Sequence, residues 1–227
     1  GVPEGSDLCI TPVSSPENHY VRIKADNRLE ADGTLRGTFT LTAEGQSDSN
    51  IRRIFTTGFQ SEWKSTMERQ LLTISPKARL LSVDYGKNPK DYQAAPIKIT
   101  FRYEIPDYAL KGEGEMFFRP MVMNNLYNQV RSYLRIDTSV ENRKYGFKDG
   151  CSRLVELDEM IQLPAGYKLV NAAKNEMMQG VGADFEGSLT QKGNKVLLHN
   201  RLALKKRVYE AVSYTHLRAH ETGRNLV

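Results

Sequence analysis

Residues 97–105 read Ile-Lys-Ile-Thr-Phe-Arg-Tyr-Glu-Ile, apolar at every odd position and polar at every even one. Side chains alternate between two faces with period 2 only in a β-strand. Such a segment needs a sheet with one oily face and one wet face. The same period recurs along the chain. Val21, Ile23 and Ala25 alternate with Arg22 and Lys24, and Leu35, Phe39 and Leu41 with Arg36, Thr38, Thr40 and Thr42. Between them, Ala31-Asp32-Gly33-Thr34 supplies turn chemistry, because Asp-Gly tolerates positive φ. Residues 20–44 are therefore predicted to form a hairpin.

Further strands are expected over 79–85, over 115–119 up to the stop at Pro120, and around Val155, Leu157, Ile161 and Leu163. The last set has Glu156, Asp158 and Gln162 on its opposite face. Pro164-Ala165-Gly166-Tyr167 turns the chain into 167–170. Asp184 to Thr190, Gln191-Lys192-Gly193-Asn194 and Lys195 to Lys206 read as a final hairpin. Residues 121–135 are either a short helix or an irregular bridge, and 137–150 a polar loop.

One segment has a different period. After Ser47-Asp48-Ser49, which offers N-cap acceptors, Ile51, Phe55, Phe59, Trp63, Met67 and Leu71 recur every four residues. On a helix of 3.6 residues per turn that step drifts by ~40° each time. A helix over about 49–72 must then wrap, bend or break, and Gly58 is the place for it. An aromatic ladder of this kind could line a ligand groove; packing on a sheet explains it more simply.

The expected fold class is mainly β: an antiparallel, sandwich-like architecture with one substantial helix packed on a sheet. Residues 1–18, rich in Pro, Gly and Ser, read as a lead-in. Residues 19–211 form the β domain, with 19–135 and 150–211 as two possible sub-blocks. From Val212 the pattern stops. Val212-Ser213-Tyr214-Thr215-His216-Leu217-Arg218-Ala219-His220-Glu221-Thr222 fits nothing before it and looks like translated sequencing adapter. Residues 212–227 are thus expected to be a non-native, disordered tail, and the chain, starting at Gly1, a piece of a larger protein.

The net charge of +5 is scattered, with Lys205-Lys206-Arg207 as the one cluster. No basic stripe with interleaved aromatics appears, so nucleic acid is not an expected partner. No apolar run reaches the ~18 residues of a membrane span. Cys9 and Cys151 do not make a disulfide framework. They could pair, but two separate buried thiols are expected.

Acyl-transfer chemistry needs a nucleophile, a His base and an orienting acid together. His19 and His199 are the histidines of the patterned region, and His199 shares an outward face with Arg201 and Lys205. Neither Cys9, in the Pro-rich lead-in, nor Cys151, after a Gly turn, sits where a thiolate would be activated. His216 and His220 with Glu221 imitate a metal-binding helix face, but Leu217 stands where a zincin has Glu. Gly180-Val181-Gly182 has Phe185 where a dinucleotide loop has its third glycine. Glu113 with Glu115, and Asp158 with Glu159, could be paired carboxylates. Surface charge on alternating strands is the expectation for both pairs. No catalytic, cofactor-binding or metal-ligating residue is therefore assigned, and no cofactor.

Taken together, Leu29-Glu30-Ala31-Asp32-Gly33-Thr34-Leu35-Arg36-Gly37, the helix, the strand Ile97–Ile105, the run from Leu154-Val155-Glu156-Leu157 to Leu163-Pro164, and the closing hairpin to Arg207-Val208-Tyr209-Glu210-Ala211 form a familiar succession. It resembles the C-terminal domain of unknown function that follows the transglutaminase-like core in a group of bacterial envelope proteins. The resemblance covers roughly residues 10–211. It implies that the Cys-His-Asp set belongs to a core lying before Gly1, so no residue here inherits a catalytic role. It also implies an exported, cell-envelope setting and that core as a partner. The expected function is a non-catalytic accessory domain, structural or presenting a protein or peptide substrate. The alternative is a stand-alone glycan- or peptide-binding module using exposed rings among Tyr85, Tyr92, Tyr103, Tyr108, Tyr127 and Tyr133.

Overall fold

A computed structural model of the chain describes residues 12–94, 96–123, 145–170 and 175–210. Cys9, Tyr127, Tyr133, His216, His220 and Glu221 lie outside the described residues, as do most of 121–135 and the whole of 212–227.

The elements run β1 (Tyr20–Leu29), β2 (Leu35–Ala43), α1 (Gly45–Thr56), α2 (Trp63–Leu72), β3 (Arg79–Asp84), β4 (Ile97–Ile105), β5 (Leu110–Lys111), β6 (Met116–Phe117), β7 (Phe147–Lys148), β8 (Arg153–Gln162), β9 (Glu176–Gln179), β10 (Ala183–Lys192), β11 (Lys195–Leu204) and β12 (Val208–Tyr209). The protein is mainly β, as its alternation requires. Eight strands form one sheet in the order β3-β4-β2-β1-β8-β11-β10-β9, and β5–β6 and β7–β12 are small ribbons.

The sheet is mixed rather than wholly antiparallel. β1 runs parallel to β8, from Tyr20 opposite Leu154 to Arg28 opposite Gln162, and every other pair in the sheet is antiparallel. Strands from both halves of the sequence thus share one sheet across this seam. The second packed sheet of a sandwich is not among the described elements; two helices pack on the oily face of the β3-β4-β2-β1 half instead.

The hairpin β1–β2 turns at Gly33 with φ 90°, and the Thr34 N–H donates to the Asp32 carboxylate. Val21, Ile23, Leu35, Phe39, Ile99, Phe101 and Tyr103 all face the core. The outer face is a charged lattice, carrying Arg22 with Glu156 across the seam and Arg36 with Glu104 at 2.7 Å.

The single helix expected over 49–72 is two helices, separated at Gly58 by a short 3-10 turn. The four-residue drift is resolved by that break. Ile51, Phe55, Trp63, Met67 and Leu71 are buried, but Phe59, at the break, is 76% exposed. The start also differs. α1 begins at Gly45, and Ser47 and Asp48 cap nothing by side chain. The Asp48 carboxylate instead accepts the Ile97 N–H at 2.7 Å and pairs with Arg52 at 2.7 Å. Arg52 is almost wholly buried, and donates to the Pro89 and Asp91 carbonyls, fastening the 86–94 loop to α1. Among the described residues no helix is long and apolar enough to cross a membrane.

One glycine is needed for packing. Gly37 stands in β2 between Asn27 of β1 and Tyr103 of β4. A Cβ there would overlap the Asn27 side-chain oxygen and the Asp26 carbonyl. Gly37→Ala is expected to cost about 1–3 kcal/mol, the usual range for overpacking. Gly150→Ala, where a Cβ meets nothing within 4 Å, should stay within about 0.5 kcal/mol of the parent. Urea midpoints of both variants check this.

Candidate functional site: a buried carboxylate across the seam

Period 2 places Glu159 on the oily side of β8, between Leu157 and Ile161. The surface charge expected of the Asp158 and Glu159 pair therefore does not hold for Glu159. Glu159 is 2% exposed and lies in the core beside β1. Asp158, one residue earlier, does point outward and binds His199 Nδ1 at 2.7 Å. The two carboxylates therefore face opposite sides of the sheet and cannot act as a pair.

Three donors meet the Glu159 carboxylate. Asn27 Nδ2 donates to Oε1 at 2.7 Å, the Met121 N–H to Oε1 at 3.1 Å and the Val122 N–H to Oε2 at 3.0 Å. Asn27 is itself buried, and its Oδ1 accepts from the Tyr103 hydroxyl. The chain Tyr103–Asn27–Glu159 thus runs from β4 over Gly37 and β1 to β8. It ends on the backbone of the turn Met121–Met123. A neighbouring bond, Tyr108 Oη to the Arg119 carbonyl at 2.6 Å, holds the approach to that turn.

No cation answers this charge among the described residues. Burial pushes the Glu159 carboxyl up to about 7, against the downward pull of its three donors. Burial likewise raises the Tyr103 hydroxyl well above its usual value. A carboxyl that titrates near neutrality can hold or release a proton, but this one is closed off from solvent.

The other candidates are dispersed. Cys151 is a free, buried thiol whose pKa burial raises. The nearby Asp149 carboxylate is engaged bidentately by Arg153 at 2.7 and 3.0 Å. His19 lies at the same end of the sheet, but its Nδ1 accepts the Gln46 N–H at 3.2 Å and burial lowers its pKa. His199 pairs with Asp158, seven residues beyond Cys151, or roughly 23 Å of extended chain. Glu113 and Glu115 are exposed near the tip of the β5–β6 ribbon. Gly180 and Gly182 lie in the connection between the antiparallel strands β9 and β10, not at a helix start.

The described tyrosines do not make a platform. Tyr103 is buried, Tyr85 packs edge-on against Phe55 and Trp63, and Tyr92 lies near Arg52. On the outer face a shallow groove of about 310 Å³ is lined by Asp26, Arg28, Arg36, Arg102 and Gln162. Arg36 pairs with Glu104 and Arg28 with Glu30, so two of its three guanidiniums are already engaged.

Alternation alone contained the signal for Glu159. A lone acid at a core-facing position of a strand must be buried, and buried carboxylates need partners. Its partners could not be read, because Asn27, Tyr103 and Met121 are distant in sequence and meet only through the sheet order.

Comparison with known proteins adds a family for part of the chain. Residues 114–220 match the family described as a domain of unknown function with a solved structure (DUF3858). That stretch is just under half of the 227 residues. It takes in β6 to β12 with Glu159, and leaves Asn27 and Tyr103 outside. It also runs past Ala211, where the sequence pattern breaks. Among solved structures the chain is similar to a crystal structure described as "a putative protease from Parabacteroides distasonis". The identity is 17% and the TM-score 0.34, over 38% of this chain and 18% of that one. The chain therefore spans only a small part of that protein's length. No curated protein matches.

The ionisation of Glu159 has a signed consequence for stability. A carboxyl raised in the folded state binds its proton more tightly there than in the unfolded chain. Its contribution is present below its ordinary value of 4.5 and is lost as pH rises to about 7. The expected loss is about 3 kcal/mol over that window. His19, lowered from 6.5, acts with the opposite sign. Urea unfolding at pH 5 and pH 8 should show that Glu159→Gln removes the Glu159 component and leaves stability rising with pH.

Proposed function

We propose that the chain is a non-catalytic accessory β scaffold of a larger, transglutaminase-like protein of the bacterial envelope, which helps to hold or present a protein or peptide substrate. The observation that carries this reading is how the polar side chains are occupied. Asp149 is bound by Arg153, His19 accepts a backbone N–H, and His199 binds Asp158 far from Cys151. Among the described residues His19, His199 and Asp149 are each engaged in holding the fold, and the Cys151 thiol is raised rather than activated. The match of residues 114–220 to a domain of unknown function, and the resemblance of the whole β succession to the domain that follows a transglutaminase-like core, support the same reading.

An accessory role predicts no turnover. The purified chain, incubated with glutamine-containing peptides and a primary amine, should release no ammonia above the buffer rate and form no cross-link. Cys9→Ala and Cys151→Ala variants should behave identically. Turnover abolished by either substitution would overturn the proposal.

A further inference from the structure

We propose that Glu159 is a proton-operated latch: ionised, it clamps the Met121–Met123 turn onto the sheet, and protonated, it reverses the hydrogen-bond chain to Tyr103 and lets Met121 go. The inference rests on the donor count. Asn27 Nδ2, Met121 N–H and Val122 N–H all donate to the two carboxylate oxygens, and among the described residues no hydrogen-bond acceptor is paired with them. This arrangement suits the anion. The proton of a neutral carboxyl would need an acceptor of its own.

One acceptor is within reach. If the Asn27 amide turns over, its Oδ1 faces Glu159 and its Nδ2 faces Tyr103. The Glu159 hydroxyl on Oε1 then donates to Asn27 Oδ1, and Asn27 Nδ2 donates to the Tyr103 oxygen. Tyr103, which now donates to Asn27, becomes an acceptor. The proton is taken up from water at Oε1, the one covalent bond formed; the two Asn27 hydrogen bonds exchange direction, and the Tyr103 hydroxyl hydrogen gives up its acceptor on Asn27. Met121 is left facing a hydroxyl oxygen, a poorer acceptor than a carboxylate. Val122 keeps the carbonyl oxygen Oε2. The release is therefore unequal between adjacent amides.

The charged group that bears on the chain from outside it is Asp26 of β1, whose carboxylate adds to the rise at Tyr103. From β1 the facing group is Asn27, from β4 Tyr103 with Tyr108 beyond it, and from β11 the apolar Leu198. The turn presents backbone only. The burial that moves the carboxyl to about 7 puts the transition near neutral pH.

The test is amide exchange by NMR on the full chain from pH 5 to pH 8, corrected for intrinsic rates. Protection of Met121 should rise about tenfold with pH, Val122 should change less, and β4 amides should not follow. The Asn27 side-chain amide resonances and the Glu159 carboxyl carbon should titrate with the same midpoint. Glu159→Gln should abolish the step. Should that variant fail to fold, the wild-type carboxyl titration decides. PH-independent Met121 protection, equal changes at both amides, or an Asn27 side chain that does not move with Glu159 would each overturn the latch.

Discussion

The structure depends on the parallel pairing of β1 with β8. Two four-stranded blocks, β3-β4-β2-β1 and β8-β11-β10-β9, are each antiparallel within themselves. They become one sheet only because Tyr20 to Arg28 lies beside Leu154 to Gln162 in a single register. A slip of one residue would turn every core side chain of a block to the solvent. On the oily face the seam holds Ile23, Leu157 and the Asn27–Glu159 contact; on the wet face it holds Arg22 with Glu156. The buried polar contact is the specific one. Apolar neighbours tolerate a shifted partner, whereas a buried carboxylate without its donors does not.

From that seam the remaining architecture follows. Gly37 leaves space for Tyr103 and Asn27 to meet across β2. The Met121–Met123 turn is docked by the same carboxylate. α1 and α2 close the oily face of the first block, with Phe55, Trp63 and Tyr85 in mutual edge contact. Arg52 and Asp48 tie α1 to the loop and strand that follow. On the outer face charges pair along and across strands, as Arg28 does with Glu30, Arg22 with Glu156 and Arg36 with Glu104.

Much of this was legible in the residues. β1, β2 and β4 fall where alternation put them, because an amphipathic strand carries its orientation in its own sequence. The angular drift demanded that a helix over 49–72 wrap, bend or break at Gly58, and the two helices of the structure show the break. β9 was not, since Glu-Met-Met-Gln lacks alternation and pairs only because β10 offers an edge. The strand expected over 115–119 shrinks to Met116–Phe117, where Pro120 and the turn docked on Glu159 take the chain away. The parallel seam was invisible, because it joins segments more than a hundred residues apart. For the same reason Glu159 read as surface charge: its local pattern named the face, but only the sheet order shows what covers it.

The claim at the centre is that both blocks fold as one unit through the seam, and unfolding with two local probes tests it most directly. The chain has a single tryptophan, Trp63, in the first block, and Cys151 reports the second once Cys9→Ser removes the other thiol. Trp63 fluorescence and Cys151 labelling in urea should give the same midpoint and slope. Two separated transitions, with one block melting while the other keeps its probe protected, would contradict the account.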